Sequence, residues 1–222
     1  MKRGYFITGT DTGIGKTLVA AALLHSLARD GLSTVGMKPI AAGTTGHGAG
    51  VSNEDVEQLC RASTVKAPLS LVCPYLLRAA VAPHIAADEE GVCIDPALLT
   101  QAFHTLREMA DAVVVEGVGG FCVPLNDTHD TADLAVALSL PVILVVGMRL
   151  GCLNHALITQ EAILARGLKL AGWVANHLDP QMLRPRENVR ALEQRMAGPL
   201  LADIPNGTID ATGVEFPGLF HG

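Results

Sequence analysis

The stretch Gly9-Thr10-Asp11-Thr12-Gly13-Ile14-Gly15-Lys16-Thr17 ends in Gly-Lys-Thr. It follows a short apolar run, Tyr5–Thr8, and opens a helical pattern. In that setting the backbone N–H groups of a glycine-rich turn converge on phosphate oxygens, and the helix start adds partial positive charge. Lys16 would bridge the β- and γ-phosphates, and the Thr17 hydroxyl would ligate Mg²⁺. The spacing departs from the common phosphate loop, because five residues rather than four separate Gly9 from Gly15. The same residues also allow a plain glycine-rich turn without a ligand.

A phosphate loop needs acids to hold its metal. Glu116 ends the apolar run Ala112-Val113-Val114-Val115 and precedes Gly117-Val118-Gly119-Gly120. An acid at the carboxyl end of a buried strand lies where open α/β sheets bind ligands, and the glycines let a nucleotide approach the backbone. Asp55 follows the Gly- and Thr-rich segment Gly43–Ser52 and is the candidate for a second carboxylate. Mg²⁺ takes oxygen ligands and few carboxylates, leaving room for phosphate and water. Asp55 reads equally well as a first-turn helix acid favoured by the helix dipole. Lys38 ends a strand pattern before Pro39. If it faces the crevice of Lys16, the two cations could hold a phosphoryl group and a second anion together.

The elements that must position these side chains alternate along the chain. Strand patterns cover Tyr5–Thr8, Thr34–Lys38, Ala112–Glu116, Pro141–Val146, Leu170–Asn176 and Leu200–Ile204. Helical periodicity covers Lys16–Asp30, about Pro96–Ala110 behind an Asp95 cap, Cys152–Arg166, and the region Leu183–Met196 with a start near Pro185. Asp127, Asp130 and Asp133 are candidates to cap a helix near Thr131. Continuous apolar strands alternating with helices predict an α/β fold: a mostly parallel sheet covered by helices on both faces, a P-loop NTPase-like single domain over residues 1–222.

Composition narrows the function classes. Of 222 residues, 49% are apolar and 17% charged, which excludes global disorder. Aromatics are only 4%, so Ala, Val, Leu and Ile must build the core. The net charge of −6 leaves no basic excess for a nucleic acid partner. The most apolar stretch, Leu134–Met148, contains Pro141 and is shorter than the roughly 20 residues of a membrane span. The apolar run at the N-terminus is too brief for a signal peptide. Five scattered cysteines without a CxxC pair read as reduced thiols of a cytoplasmic protein, and eight histidines form no ligand pattern.

Taken together, these residues resemble dethiobiotin synthetase. The resemblance rests on GTDT leading into Gly15-Lys16-Thr17, on Lys38-Pro39-Ile40-Ala41, Pro83-His84-Ile85 and Val115-Glu116-Gly117, and on Leu150-Gly151-Cys152, Asn154-His155-Ala156 and Gly172-Trp173-Val174-Ala175-Asn176. It implies an ATP- and Mg²⁺-dependent ring closure of 7,8-diaminopelargonate with CO₂ by a homodimer. It implies that Thr12, Gly13, Ile14, Gly15, Lys16, Thr17 and Leu18 wrap the phosphates. Thr17, Asp55 and Glu116 would hold Mg²⁺, and Lys38 and Lys16 would be catalytic. Glu116, Gly117, Val118 and Gly119 would line the nucleotide. Asn176, His177, Pro205, Asn206 and Gly207 would surround adenine. Ala42 would touch the diamine beside Lys38. Gly151, Cys152, Leu153 and Asn154 of the partner subunit would hold the substrate carboxylate at a helix start, and His84 would lie near the substrate pocket.

Three positions depart from the family pattern: Gly13 lacks an acidic side chain, Ala42 lacks a hydroxyl, and Asn188 stands where an aromatic hydroxyl is expected. Two other readings stay open. One is a partitioning or cell-division ATPase, although such switches carry a lysine where this chain has Asp11. The other is a module that binds nucleotide without turnover.

Overall fold

The structure is a computed structural model that describes residues 2–45, 51–217 and 219. Its centre is a six-stranded sheet built from β1 (Arg3–Gly9), β2 (Thr34–Met37), β5 (Ala112–Glu116), β6 (Val142–Met148), β7 (Leu170–His177) and β8 (Leu200–Ile204), with β3 (Ile40–Ala42) and β4 (Tyr75–Leu77) forming a separate pair. The main sheet runs β2-β5-β1-β6-β7-β8, and every neighbouring pair is parallel. Alternate side chains serve opposite faces. Val113 and Val115 pack with Phe6, Phe103 and Trp173 on one side, while Val114 packs with Ile7, Leu23 and Val145 on the other. Both faces are therefore dry, which is why the strands read as unbroken apolar runs.

The helices are α1 (Lys16–Arg29), α2 (Glu54–Ala62), α3 (Leu69–Val72), α4 (Pro83–Glu89), α5 (Pro96–Met109), α6 (Thr131–Leu138), α7 (Cys152–Ala165) and α8 (Pro185–Glu193). The caps read from the sequence hold at two of them. Asp95 accepts from Ala97 N–H at 2.8 Å at the start of α5. Asp130 and Asp133 form a reciprocal capping box at α6, in which Asp127 takes no part. The helix expected over Leu183–Met196 is shorter, because Pro185 occupies its first position and Glu193 ends it.

The region between β2 and α5 differs most from the reading. Periodicity there is too short to register, yet it contains α2, α3, α4 and the parallel β3–β4 pair. Asn53 caps α2 by accepting from Val56 N–H at 3.3 Å. Of the expected loop Gly43–Ser52, residues 46–50 lie outside the described residues, and Thr45 and Ser52 form an antiparallel bridge. Past β8, Ala211, Val214 and Phe216 are buried and pack in the same core cluster as α1.

Candidate nucleotide and phosphoryl-transfer site

The strand order reverses around β1, and the site gathers at the carboxyl ends of the strands, the position where open parallel sheets leave a crevice. A cleft of about 520 Å³ opens there. The phosphate-loop segment supplies Thr12, Gly13, Gly15, Lys16, Thr17 and Leu18 to its wall. Lys38 and Ala42 come from the β2–β3 segment, Asp55 from α2, and Glu116, Val118 and Gly119 from the end of β5. Asn176 enters from β7. A larger groove, about 750 Å³, runs along the outside of α5 past Thr100, His104 and Glu108. It lacks the lysines and the glycine loop, so chemistry rather than size marks the site.

The loop is braced from beneath. Gly15 has φ +87°, and a Cβ there would lie 2.3 Å from Asn176 Nδ2, so the position demands glycine on both counts. Asn176 Nδ2 donates to the Ile14 carbonyl at 2.8 Å. Ile14 itself is buried in the core and does not line the cleft. Lys16 Nζ donates to the Asp11 carbonyl at 2.8 Å. Burial above all, and then the neighbouring Lys38 charge, push the Lys16 pKa down to about 8 despite Glu116, Asp55 and Asp11.

Lys38 lies at the centre of an acidic cluster. Its Nζ donates to Asp55 Oδ2 at 3.0 Å and pairs with Glu116 Oε1. Lys38 is 4% and Glu116 1% exposed. Burial works against the Lys38 ammonium, but Glu116 and Asp55 outweigh it and hold its pKa above the ordinary lysine value. Burial likewise opposes the Asp55 carboxylate, yet Lys38 and the Thr17 hydroxyl keep its pKa below the usual range. Thr17 Oγ1 also donates to Glu116 Oε1 at 3.0 Å. Glu116 Oε2 is buried and has no hydrogen-bond partner among the described residues. An ionised buried oxygen without a donor carries a large desolvation cost. Thr17 Oγ1 on the other oxygen of this carboxylate, and Asp55 sharing Lys38 with it, gather an oxygen donor set suited to a hard divalent cation. Among the described residues no cluster of three His, Cys, Asp or Glu could bind a metal unaided, but Mg²⁺ works with one or two carboxylates plus phosphate.

The remaining predicted residues are less closely gathered. Gly117 packs against Phe6 behind the cleft wall. His177 Nε2 lies 2.7 Å from Asp203 Oδ1, and Asn206 Nδ2 donates to the His177 and Leu178 carbonyls at 3.0 and 2.9 Å. Pro205, Asn206 and Gly207 thus follow β8 next to Thr208 and Ile209, which do line the cleft. Gly151, Cys152, Leu153 and Asn154 start α7 and lie outside the cleft of this protomer. His84 faces a separate cavity of about 290 Å³ with Asp88 and Asp127. The sequence reading missed Glu54, Gln58, Leu178, Thr208 and Ile209 as cleft residues. Recognising Asn53 as the cap of α2 would have exposed Glu54 and Gln58 as neighbours on one helix face. No local pattern signals Thr208 or Ile209.

Residues 3–209 match a family model described as an AAA domain. The chain is 60% identical over 204 residues to the ATP-dependent dethiobiotin synthetase BioD of Aromatoleum aromaticum, covering 92% of this chain and 91% of that one. It is 56% identical over 200 residues to the protein of the same name from Ralstonia nicotianae, covering 90% and 87%. Among solved structures, the fold is similar to a ParA family ATPase from Chlorobium tepidum, with TM-score 0.56 and 14% identity over 93% of this chain and 85% of that one. It is equally similar to the septum site-determining protein MinD from Pyrococcus horikoshii, with TM-score 0.56 and 21% identity over 92% and 82%. These two likenesses concern the fold alone. Identity above one half across nine-tenths of this chain decides the family: the chain belongs to the ATP-dependent dethiobiotin synthetases, a family of ligases.

Proposed function

We propose that this protein forms dethiobiotin from 7,8-diaminopelargonate, CO₂ and ATP, in the cytoplasm and as a homodimer. One amine takes up CO₂ to give a carbamate. A carbamate oxygen attacks the γ-phosphorus, ADP leaves, and a carbamic–phosphoric anhydride results. The second amine attacks the anhydride carbon, phosphate leaves, and the cyclic urea closes. No covalent enzyme intermediate is needed.

The observation that supports this reading is the convergence of Lys16, Lys38, Thr17, Asp55 and Glu116 on one cleft. Carbamate and γ-phosphate are both anionic and repel each other. Two ammonium groups at the meeting point offset that repulsion and stabilise the transferring phosphoryl group. Asp55 and Glu116 compensate the buried Lys38 charge in the protein alone, and the anionic substrates are alternative partners for it. Thr17, Asp55 and Glu116 would hold Mg²⁺, which supplies charge neutralisation at the phosphates when bound. Asn176 commits its Nδ2 to the Ile14 carbonyl, which leaves Oδ1 to accept from the adenine amino group. His177 and the Pro205–Gly207 backbone would complete the base site. Residues 151–154 of one protomer would hold the carboxylate of the substrate bound by its partner.

The rival reading, a partner-stimulated ATPase switch, fits less well. Asp11, five residues before Lys16, pairs with Arg149 rather than presenting a lysine. ADP release from Mg-ATP, with and without the diamine and bicarbonate, separates the two. Release that requires both additions and yields a product of dethiobiotin mass is expected. Release independent of them would establish the switch. Lys38→Ala should lower kcat by roughly two to three orders of magnitude, the scale for losing one preorganised charge-stabilising donor. Unaltered turnover would remove Lys38 from the chemistry.

A further inference from the structure

We infer that Glu54 is the carboxylate that receives an ammonium group of the diamine, and so sets amine specificity in this chain. The inference rests on the diamine reaction proposed above. Such a substrate brings cationic amines into a cleft that already contains Lys16 and Lys38, so binding it requires free negative charge. Three acids line the cleft: Glu54, Asp55 and Glu116. Asp55 and Glu116 are engaged by Lys38, and Glu116 also by Thr17. The Glu54 side chain makes no hydrogen bond or ion pair among the described residues, and it is exposed to the cleft solvent.

Its position is held from two directions. Asn53, the cap of α2, accepts from Val56 N–H and donates Nδ2 to the Gly43 carbonyl at 2.7 Å. The start of α2 is thereby tied to the segment that carries Ala42. Neither neighbouring wall offers a competing acid. Ala42 has no polar side chain, and at Gly13 a Cβ would meet no atom within 4 Å, so that space is open. Asp11 does not line the cleft and is paired with Arg149. A first-turn acid is also favoured by the dipole of its own helix. That role alone predicts an effect on stability and none on the amine.

The test compares Glu54→Gln with the parent enzyme in dethiobiotin formation and, separately, in calorimetric binding of the diamine alongside a non-hydrolysable ATP analogue. Loss of one charge-assisted hydrogen bond should raise the KM and the Kd for the diamine about tenfold, with the KM for ATP unchanged. The ratio between variant and parent should narrow as pH rises towards about 10, where alkylamines lose their charge. Gln58 lies one helical turn from Glu54 on the same wall. The double variant Glu54→Gln/Gln58→Glu should therefore recover part of the loss. An unchanged diamine Kd in folded Glu54→Gln overturns the inference, as does an equal rise in the KM values for diamine and ATP. Failure of the parent enzyme to form dethiobiotin would overturn the reaction instead, and the diamine calorimetry still decides Glu54.

Discussion

Lys16 and Lys38 are the same residue type in one cleft, and burial treats them oppositely because their neighbours differ. Lys38 is compensated by two carboxylates and stays charged. Lys16 donates to a neutral carbonyl, and burial followed by repulsion from Lys38 brings its pKa to about 8. The phosphate contact proposed for Lys16 needs its ammonium form. With its pKa near 8, Lys16 in the protein without nucleotide is half deprotonated there and increasingly so at higher pH, so ATP binding should take up a growing fraction of a proton. ATP affinity should therefore fall as pH rises past 8, by up to about tenfold per unit where the full proton is taken up. Titration calorimetry at pH 8.5 in two buffers of different ionisation enthalpy reads the proton directly. Uptake near zero would mean that Lys16 keeps its charge in the free protein. At this scale the sequence was informative where chemistry dictates residue type, as in Gly-Lys-Thr. It was silent on Glu54, an acid among acids until the cleft singles it out.

At the scale of elements, the phosphate loop is positioned by three strands. β1 delivers it, β7 braces it through Asn176, and the turn after β6 reaches it through Arg149. Asp11 joins these influences. Its Oδ1 accepts from Thr12 N–H at 2.7 Å, its carbonyl accepts from Lys16 Nζ, and its Oδ2 pairs with Arg149. The Arg149 carbonyl in turn accepts from Cys152 N–H at 3.0 Å at the start of α7. The pair is half-exposed, so its coupling should be modest. An exposed ion pair of about 0.2–1 kcal/mol corresponds to a change in ATP affinity of up to about fivefold. Arg149→Gln and Asp11→Asn should each weaken ATP by about that factor, and the double variant no further. Additive losses in such a cycle would show that the two side chains act separately. The main strands and longer helices were legible as elements because their periodicity is sustained. β3, β4, α3 and α4 were not, because three to seven residues are too few to show a period, and nine-residue α2 was missed because its Asn53 cap went unrecognised.

For the whole molecule, the parallel sheet buries both faces with Val, Leu, Ile and Ala, and four aromatic side chains, Phe6, Phe103, Phe121 and Trp173, lie in one core cluster. Leu150 and Leu183 are 95% and 86% exposed beside the start of α7 and before α8, and burial of such side chains between two copies accords with the proposed homodimer. Sedimentation equilibrium should give twice the chain mass of 23.2 kDa, and Leu150→Asp should shift the equilibrium towards monomer while raising the diamine KM. A fully active monomer would dispose of the shared carboxylate site. Much of the architecture follows from the sequence by itself. Apolar runs at intervals bounded by glycine and helix caps specify a parallel α/β sheet, since backbone hydrogen bonding and burial on both faces leave few other solutions. Gly-Lys-Thr after the first strand specifies a phosphate site, because only glycine accepts the backbone that the turn requires. Which acids meet which lysine is another matter. Lys38 is 17 residues from Asp55 and 78 from Glu116. Their pairing, the place of Glu54 on the same cleft wall and the brace from Asn176 exist only once the strand order has brought the carboxyl ends of β2, β5, β1 and β7 to one edge, because electrostatic partnership depends on distance in space and no local pattern encodes it.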